Sequence, residues 1–258
     1  MNIKINNQMY TINSNPISSR NTYTGKAYRL QVGSDLLAVK IYRTNKLYSD
    51  EEQDEWFPLE EEVDTFMKLA DDVEPILLSR MIVGDEKKDY AGCANYYITE
   101  VHGDTRKSIF YMPITKFFEC FFDLEEKIPI FTDNFIMLDD WNIDNIKYGI
   151  ISKDPDRERI YMFDDSNYRL ACCSKKLLTL MNEKCFDNLA IDVVDSYVKG
   201  NWVYGEYHDY FESVRDKKHL FEYLEKDSRS YPNMSTYFND RVKSKRYMWF
   251  NNWIFKVT

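Results

Sequence analysis

The stretch "IMLDDWNIDNIKYG", residues 136–149, decides how the rest of the sequence is interpreted. It carries carboxylates at Asp139, Asp140 and Asp144 and an amide at Asn145, and it then alternates apolar and polar residues as a strand does. Carboxylates this close in sequence repel one another unless a cation offsets their charge. The stretch is therefore either an exposed acidic turn or a loop that holds a positively charged group.

Composition restricts the class of protein. The chain has 258 residues, of which 44% are hydrophobic and 16% aromatic, so it can bury one large core or the cores of two lobes. Its formal net charge of -9 disfavours nucleic acid as the main partner. No run reaches the roughly 20 apolar residues that span a bilayer, and the five cysteines show no C-x-x-C spacing. We expect a cytoplasmic protein without a transmembrane segment, or one delivered into the cytosol of a host cell.

The periodicity of the apolar residues changes along the chain. The first hundred residues read mostly as strands, with a turn at Gly33 and an acidic helix at 51–70. From Pro113 onward the pattern is helical. We predict an α+β fold with two lobes. A small antiparallel-sheet lobe with one helix would span residues 1–103, and a mainly helical lobe would span residues 104–258.

Three features of the first lobe stand in a characteristic order. "TGKAYRL" is followed by "AVK" and then by "EVDTFMKL", which together resemble the N-terminal lobe of a protein kinase. The resemblance implies that Gly25 and Ala38 lie against bound ATP. It also implies that Lys40 holds the phosphates and that Glu62 pairs with this lysine. Taken singly, Lys40 is equally well explained as an edge residue whose ammonium group reaches water. Glu62 is equally well explained as a charged residue on the solvated face of a helix.

The segment "YYITEVHGDT" resembles the strand and hinge that follow in the same fold. The resemblance implies that Thr99 guards the back of the adenine pocket. Backbone groups from Glu100 to His102 would then bind the adenine.

The acidic stretch at 136–149 fits the same resemblance. Protein kinase catalytic loops read H-R-D-x-x-x-x-N, and alignment on Asp140 and Asn145 reproduces the spacing from aspartate to asparagine. The resemblance implies that Asp140 is the catalytic base. Asn145 and Asp164, the latter in "RIYMFDDSNY", would hold Mg²⁺ between the phosphates of ATP. Asp192 in "LAIDVVDSYV" would brace the loop backbone from a core helix.

The sequence also departs from the kinase pattern. Arg20 and Thr22 stand where the first two glycines of the nucleotide loop belong. Leu138 and Asp139 replace the histidine and arginine before the catalytic aspartate, and no A-P-E triplet follows Asp164. Losing that arginine removes the usual docking point for a phosphorylated activation loop.

These departures leave three interpretations open. The chain is a minimal Ser/Thr protein kinase without an activation switch, a pseudokinase that only binds, or a small-molecule kinase of the aminoglycoside or choline kinase type. Lys40, Glu62, Asp140, Asn145 and Asp164 cover every charge role in phosphoryl transfer, so an active kinase acting on a protein substrate is the favoured interpretation.

The segment "RVKSKRYMWFNNWIFKV", residues 241–257, mixes basic with aromatic residues. It is compatible with contact to a partner or a membrane surface. We expect instead a terminal helix that buries its aromatic residues against the helical lobe.

Overall fold

An antiparallel sheet occupies the first part of the chain in the computed structural model. The structure describes residues 2–5, 8–12, 15–17, 25–42, 65–84, 91–101, 109–163, 168–200 and 220–240. Within these residues the strands of the sheet are β1 (Asn2–Ile5), β2 (Gln8–Thr11), β3 (Gly25–Val32), β4 (Asp35–Tyr42), β5 (Arg80–Gly84) and β6 (Ala91–Tyr96). Their order across the sheet is β2–β1–β5–β6–β4–β3.

A tight turn joins β3 to β4. Gly33 has φ of +58°, in the left-handed region that a residue without Cβ adopts at little cost. The alternation along β4 buries Leu37 and Val39 in the core of the sheet. Ala38 and Lys40 consequently lie on the opposite face and are half-buried.

The acidic helix predicted at 51–70 lies mostly outside the described residues. Residues 65–67 are helical and turns follow at 68–72, so the helix ends three residues earlier than predicted. The physical reason is a change of hydrogen bonding. The amides of Leu69 and Ala70 bond to carbonyls three residues earlier, which tightens the chain into turns.

The second part of the chain is mainly helical, with short antiparallel strand pairs. Its helices are α1 (Ile114–Glu125), α2 (Ile128–Asp133), α3 (Lys175–Gly200) and α4 (Leu220–Ser228), and residues 234–240 are also helical. Its strands, counted with the preceding segment, are β7 (Thr99–Glu100), β8 (Ile136–Met137), β9 (Ile146–Ile151), β10 (Asp154–Met162) and β11 (Arg169–Leu170). Strand β9 pairs with β7 and β10, and β8 pairs with β11.

The predicted α+β class is confirmed by these elements. The boundary between two lobes at residue 103 stays a prediction. None of the described helices is long and apolar enough to cross a membrane.

Aromatic side chains hold the helices together. The ring of Phe221 in α4 stacks on Phe121 of α1, with 4.3 Å between ring centroids, and lies 5.3 Å from Phe186 of α3. Full burial of a phenylalanine side chain stabilises a fold by about 1.5–3 kcal/mol. This cluster therefore fixes the position of α3 against its neighbours.

Two fully buried tyrosines differ in how their hydroxyls are satisfied. The hydroxyl of Tyr237 donates to the carboxylate of Asp227 at 2.8 Å. The hydroxyl of Tyr161, on β10, has no hydrogen-bond partner among the described residues. Burial raises the pKa of Tyr161 to about 12.

We expect Tyr161→Phe to leave the free energy of unfolding at pH 7 unchanged within about 0.5 kcal/mol, or to raise it, because the hydroxyl lost was unsatisfied. Tyr237→Phe should lower it by about 1–2 kcal/mol. The pKa of Tyr161 is raised from the ordinary value of 10.0 to about 12 in the folded protein. At pH values between these two, the tyrosine is deprotonated in the unfolded state but still protonated in the folded state. The wild type should therefore lose stability over that pH range, and Tyr161→Phe should lose less.

Urea unfolding of the three proteins at pH 7, 9 and 11 measures both effects. Equal losses for the two substitutions at pH 7 would contradict the assigned difference between the hydroxyls.

Candidate active site

The loop between β8 and β9 carries Asp140 in an uncommon backbone conformation. Its φ of +56° lies in the left-handed region, which aspartate tolerates better than most residues with a Cβ. The amide of Asp140 donates to Oδ1 of Asp139 at 2.8 Å. A short 3₁₀ turn, Ile143–Asn145, ends the loop, and Asn142 caps it by accepting from the amide of Asp144 at 2.9 Å. Strained backbone of this kind is concentrated at functional sites.

The side chains of Asp140 and Asn145 are brought together. Nδ2 of Asn145 donates to the backbone oxygen of Asp140 at 2.9 Å and to its Oδ2 at 3.2 Å. Nδ2 of Asn142 donates to Oδ1 of Asp140 at 2.7 Å. Both of these hydrogen bonds from Asn145 use its amide nitrogen. Its amide oxygen takes part in neither of them, and oxygen is the kind of atom that binds Mg²⁺. Asp140 is exposed and Asn145 is buried, so the carboxylate is oriented yet accessible to a reactant.

Helix α3 forms a hydrogen bond to the backbone of this loop. Oδ2 of Asp192 accepts a hydrogen bond from the amide of Ile143 at 2.7 Å. The prediction that Asp192 braces the loop backbone is confirmed by this contact. The loop is thus tied to a core helix at the first residue of the 3₁₀ turn that positions Asn145.

A second brace, Asn182, was missed by sequence reasoning. This residue of α3 is fully buried and accepts from the amide of Leu138 at 2.9 Å. Its Nδ2 donates to the carbonyl of Ile136 and to Oγ1 of Thr132, each at 3.0 Å. The available signal was an asparagine within the apolar stripe of a helix, where a polar residue needs partners.

The end of β10 returns to the same loop. Met162 pairs with Ile146, and the amide of Phe163 donates to the carbonyl of Asn145 at 3.0 Å. Phe163 directly precedes Asp164, which lies outside the described residues. The second predicted metal ligand is therefore the next residue in the sequence after one that is hydrogen-bonded to Asn145.

Three of the residues predicted to contact the nucleotide, Gly25, Ala38 and Lys40, lie in the same sheet. Gly25 begins β3, and Lys40 on β4 pairs with Ala27 of β3 on one side and Cys93 of β6 on the other. Ala38 shares the face of Lys40. Ala27, which sequence reasoning missed, adds a second small side chain there, two residues after Gly25 in the same strand. Glu62 lies outside the described residues.

The predicted hinge segment is held by β9. Thr99 is exposed, and the side chain of Glu100 forms an ion pair with Lys147, with 3.1 Å between Oε1 and Nζ. Strand β7 approaches Gly149 so closely that a Cβ there would lie 2.3 Å from the carbonyl oxygen of Thr99. Gly149 is therefore required by packing, and this requirement was missed from the sequence. His102 lies outside the described residues.

The fit of Mg²⁺ depends on oxygen atoms near Asn145. No group of three His, Cys, Asp or Glu side chains in the described part of the chain is placed to hold a metal ion. Mg²⁺ usually takes one or two protein oxygens and completes its shell with water and phosphate. The amide oxygen of Asn145, together with Asp164, would meet that requirement.

Comparison with known proteins assigns no family. No protein-family model matches the sequence, and no protein with a curated description is significantly similar to it. The geometry around Asp140 is therefore the basis for functional inference.

The buried brace at Asn182 can be tested by stability. We expect Asn182→Ala to lower the free energy of unfolding by about 3 kcal/mol, because it leaves buried backbone and hydroxyl partners unsatisfied at about 1–3 kcal/mol each. Asn188→Ala is the matched control, since Asn188 is exposed on the same helix and should change stability by less than about 0.5 kcal/mol. Urea unfolding measures both, and equal effects would contradict the role of Asn182.

Proposed function

We propose that the protein is an ATP- and Mg²⁺-dependent phosphotransferase, a minimal protein kinase that phosphorylates serine or threonine on a protein substrate. One observation carries this proposal. Asp140 is held by the asparagine at the end of its own loop, and the backbone of that loop is held by Asp192. Phosphoryl transfer requires a positioned carboxylate for the acceptor hydroxyl beside a metal-binding amide, and this pair meets both requirements.

The fold that we propose is the bilobal protein kinase-like fold, with residues 1–103 and 104–258 as its lobes. Two features support it. Lys40 lies on β4 inside an antiparallel sheet, between β3 and β6. The β9–β10 hairpin follows the loop of Asp140 and returns the chain to Asn145, where the second metal ligand is needed.

The reaction assigns a role to each side chain. The acceptor hydroxyl oxygen attacks the γ-phosphorus of ATP, and the hydroxyl proton passes to the carboxylate of Asp140. The bond between the γ-phosphorus and the oxygen that bridges it to the β-phosphate breaks, and ADP leaves with that oxygen. Lys40 contacts the α- and β-phosphates, and Glu62 orients it. Asn145 and Asp164 hold Mg²⁺, which when bound offsets the charge of the phosphates.

The adenine is bound by the sheet and the hinge. Gly25 and Ala38 pack against the nucleotide, and the backbone at Glu100 and His102 binds the base. Since the side chain of Glu100 pairs with Lys147, only the backbone of this residue is available to the adenine.

A small-molecule phosphotransferase is the second candidate. The observation that favours it is the short connection into α3, which begins at Lys175, soon after β11. A protein kinase normally reads its peptide substrate with a longer segment at this place. Incubation with labelled ATP, Mg²⁺ and a cell lysate distinguishes the two, because label appears either in protein or in the small-molecule fraction.

The role of Asp140 separates an enzyme from a pseudokinase. We expect Asp140→Asn to keep the affinity for ATP with Mg²⁺ and to lower the transfer rate by about 10²–10⁴, the range for a lost general base. Asp156→Asn removes an exposed carboxylate on β10 and should change neither quantity. Calorimetry with and without Mg²⁺, together with transfer of labelled phosphate, measures both. Binding of ATP that ignores Mg²⁺ would contradict the catalytic assignment.

Activity should not depend on phosphorylation of the protein itself. Asp139 occupies the place of the arginine that docks a phosphorylated loop, and its carboxylate accepts from the amide of Asp140. A carboxylate repels a phosphate at this place. We therefore expect phosphatase-treated protein to transfer phosphate at the rate of untreated protein. A large loss that re-phosphorylation restores would overturn this expectation.

A further inference from the structure

The turn that joins β9 to β10 contacts the sheet in the first part of the chain. Oγ of Ser152 in this turn accepts a hydrogen bond from the amide of Leu36, the second residue of β4, at 3.0 Å. The same strand carries Lys40 four residues later. The turn is therefore attached to the strand that carries the predicted phosphate-binding lysine.

The segment that precedes β5 is attached to the same β9–β10 hairpin. The amide of Leu77 donates to the carbonyl of Met162 at 2.8 Å, and the amide of Met162 donates to the carbonyl of Pro75 at 3.2 Å. The carbonyl of Leu77 accepts from Nδ2 of Asn95 on β6 at 2.5 Å. The hairpin is thus linked to β4 directly and to β6 through Leu77.

The other end of the hairpin reaches the loop of Asp140. Asn145 directly precedes β9, and its carbonyl accepts from the amide of Phe163, which follows β10. Strand β9 has six residues and is therefore about 20 Å long. The hairpin joins the candidate site at one end to the sheet at the other. A shift of its turn against the sheet would change the position of Asn145 relative to Lys40.

Lys153, in the turn of the hairpin, forms two ion pairs with the segment before β5. Its Nζ lies 2.7 Å from Oδ1 of Asp71 and 3.1 Å from Oε1 of Glu74. The side chain of Asp71 is 91% exposed and that of Glu74 is 21% exposed, so solvent screens the first pair far more than the second. Glu74 is therefore the partner that contributes most to holding Lys153.

Glu74 is shared with a buried arginine. Its Oε2 lies 4.0 Å from Nη1 of Arg159 on β10, and Arg159 forms an ion pair with Asp123 of α1. Each oxygen of the Glu74 carboxylate thus faces a different cation of the hairpin. The carboxylate is restrained between these two cations, so Lys153 has a positioned partner.

A cavity of about 50 Å³ lies where the sheet, the segment before β5 and the turn of the hairpin meet. Its lining includes Leu37 and Tyr96 of the sheet, Glu74 and Leu77 of the segment, and Lys153 of the turn. This volume can hold a few water molecules, because one needs roughly 10–15 Å³. Side chains do not fill this junction, so the turn has room to shift unless its charges hold it.

We propose that Lys153 is a positioning residue. Its ion pair with Glu74 fixes the hairpin against the sheet, and the hairpin fixes the end of the loop that carries Asp140. This inference rests on the proposed function, because the alignment matters to the reaction only if the sheet holds the phosphates of ATP. A misplacement of about 1 Å between reacting groups can lower a rate by about 10². Lys153 acts through the hairpin and not on the reactants.

Hydrogen exchange of the full-length chain, followed by mass spectrometry, tests the attachment without relying on activity. Lys153→Gln removes the charge, and Lys153→Arg keeps it. The matched control is Lys176→Gln, which removes the charge of an exposed lysine on α3. We expect Lys153→Gln to speed exchange at the amides of Leu36 and Leu77 by about tenfold, because opening of the attachment exposes them to water.

The other variants and the salt dependence separate charge from packing. Lys153→Arg and Lys176→Gln should exchange as the wild type does, and the amides of α1 should be unaffected in every variant. Salt at about 1 M should speed exchange at Leu36 and Leu77 in the wild type, because it screens the ion pairs. The same salt should have little effect at these amides in Lys153→Gln.

Steady-state transfer from labelled ATP to a mixture of serine- and threonine-containing peptides tests the consequence for the reaction. We expect Lys153→Gln to lower kcat about tenfold and to leave KM for ATP within about twofold, since the nucleotide still binds the sheet but its γ-phosphate is misplaced. Lys153→Arg should restore kcat, and Lys176→Gln should leave it unchanged. Circular dichroism checks that all variants are folded.

The outcomes that contradict the inference differ from those that contradict the proposed function. Unchanged exchange at Leu36 and Leu77 in Lys153→Gln would overturn the attachment. Faster exchange throughout the chain, α1 included, would overturn it as well, because it reports a loss of overall stability. An active wild type whose kcat survives Lys153→Gln would overturn the inference alone. A wild type that transfers no phosphate to peptides, lysate proteins or small molecules would overturn the proposed function together with the role of Lys153 in it.

Discussion

Hydrogen bonds from α3 to the loop after β8 are the constraint on which the candidate site depends. Asn182 and Asp192 bind the two ends of this loop, at the amides of Leu138 and Ile143. The loop contains carboxylates that repel one another, and Asp140 has a left-handed backbone. Neither feature favours a single conformation in an isolated peptide. The helix supplies the missing restraint, because a buried amide that loses its acceptor costs about 1–3 kcal/mol.

The position of α3 depends in turn on packing. Phe186 joins α3 to the aromatic cluster of the helices, and Trp141 of the loop contacts the same ring. On the other side of the loop, β10 is held by Arg159, which is buried and forms an ion pair with Asp123 of α1. Among the described residues, removing Asp123 would leave the buried guanidinium of Arg159 with only the more distant carboxylate of Glu74, at 4.0 Å. Poorly compensated charge in a buried position destabilises a fold. The strand that ends beside Asn145 is therefore held both by its pairing with β9 and by an ion pair with α1.

Sequence reasoning recovered the features that depend on neighbours along the chain. The turn at Gly33, the helical second part of the chain and the spacing of Asp140 and Asn145 were all predicted. It missed the contacts of Asn182 and Gly149 and the pairing of Ala27 with Lys40, all of which come from other elements. A buried asparagine, a small residue on a strand face and a glycine at a close approach look ordinary until their neighbours are known. The roles of all the predicted site residues stay predictions, and Glu62, His102 and Asp164 also lie outside the described residues.

The sequence by itself determined the periodicity of strands and helices and the local chemistry of the acidic loop, because these depend on residues a few positions apart. Only the tertiary structure decided which groups restrain that loop. Leu138 and Asn182 are 44 positions apart, and Ile143 and Asp192 are 49 apart. Hydrogen bonds form at distances near 3 Å. Contacts between residues so far apart in the sequence therefore exist only after packing has placed the helix against the loop. The physical reason is that periodicity predicts which face of a helix is buried, while the partners of that face depend on the whole fold.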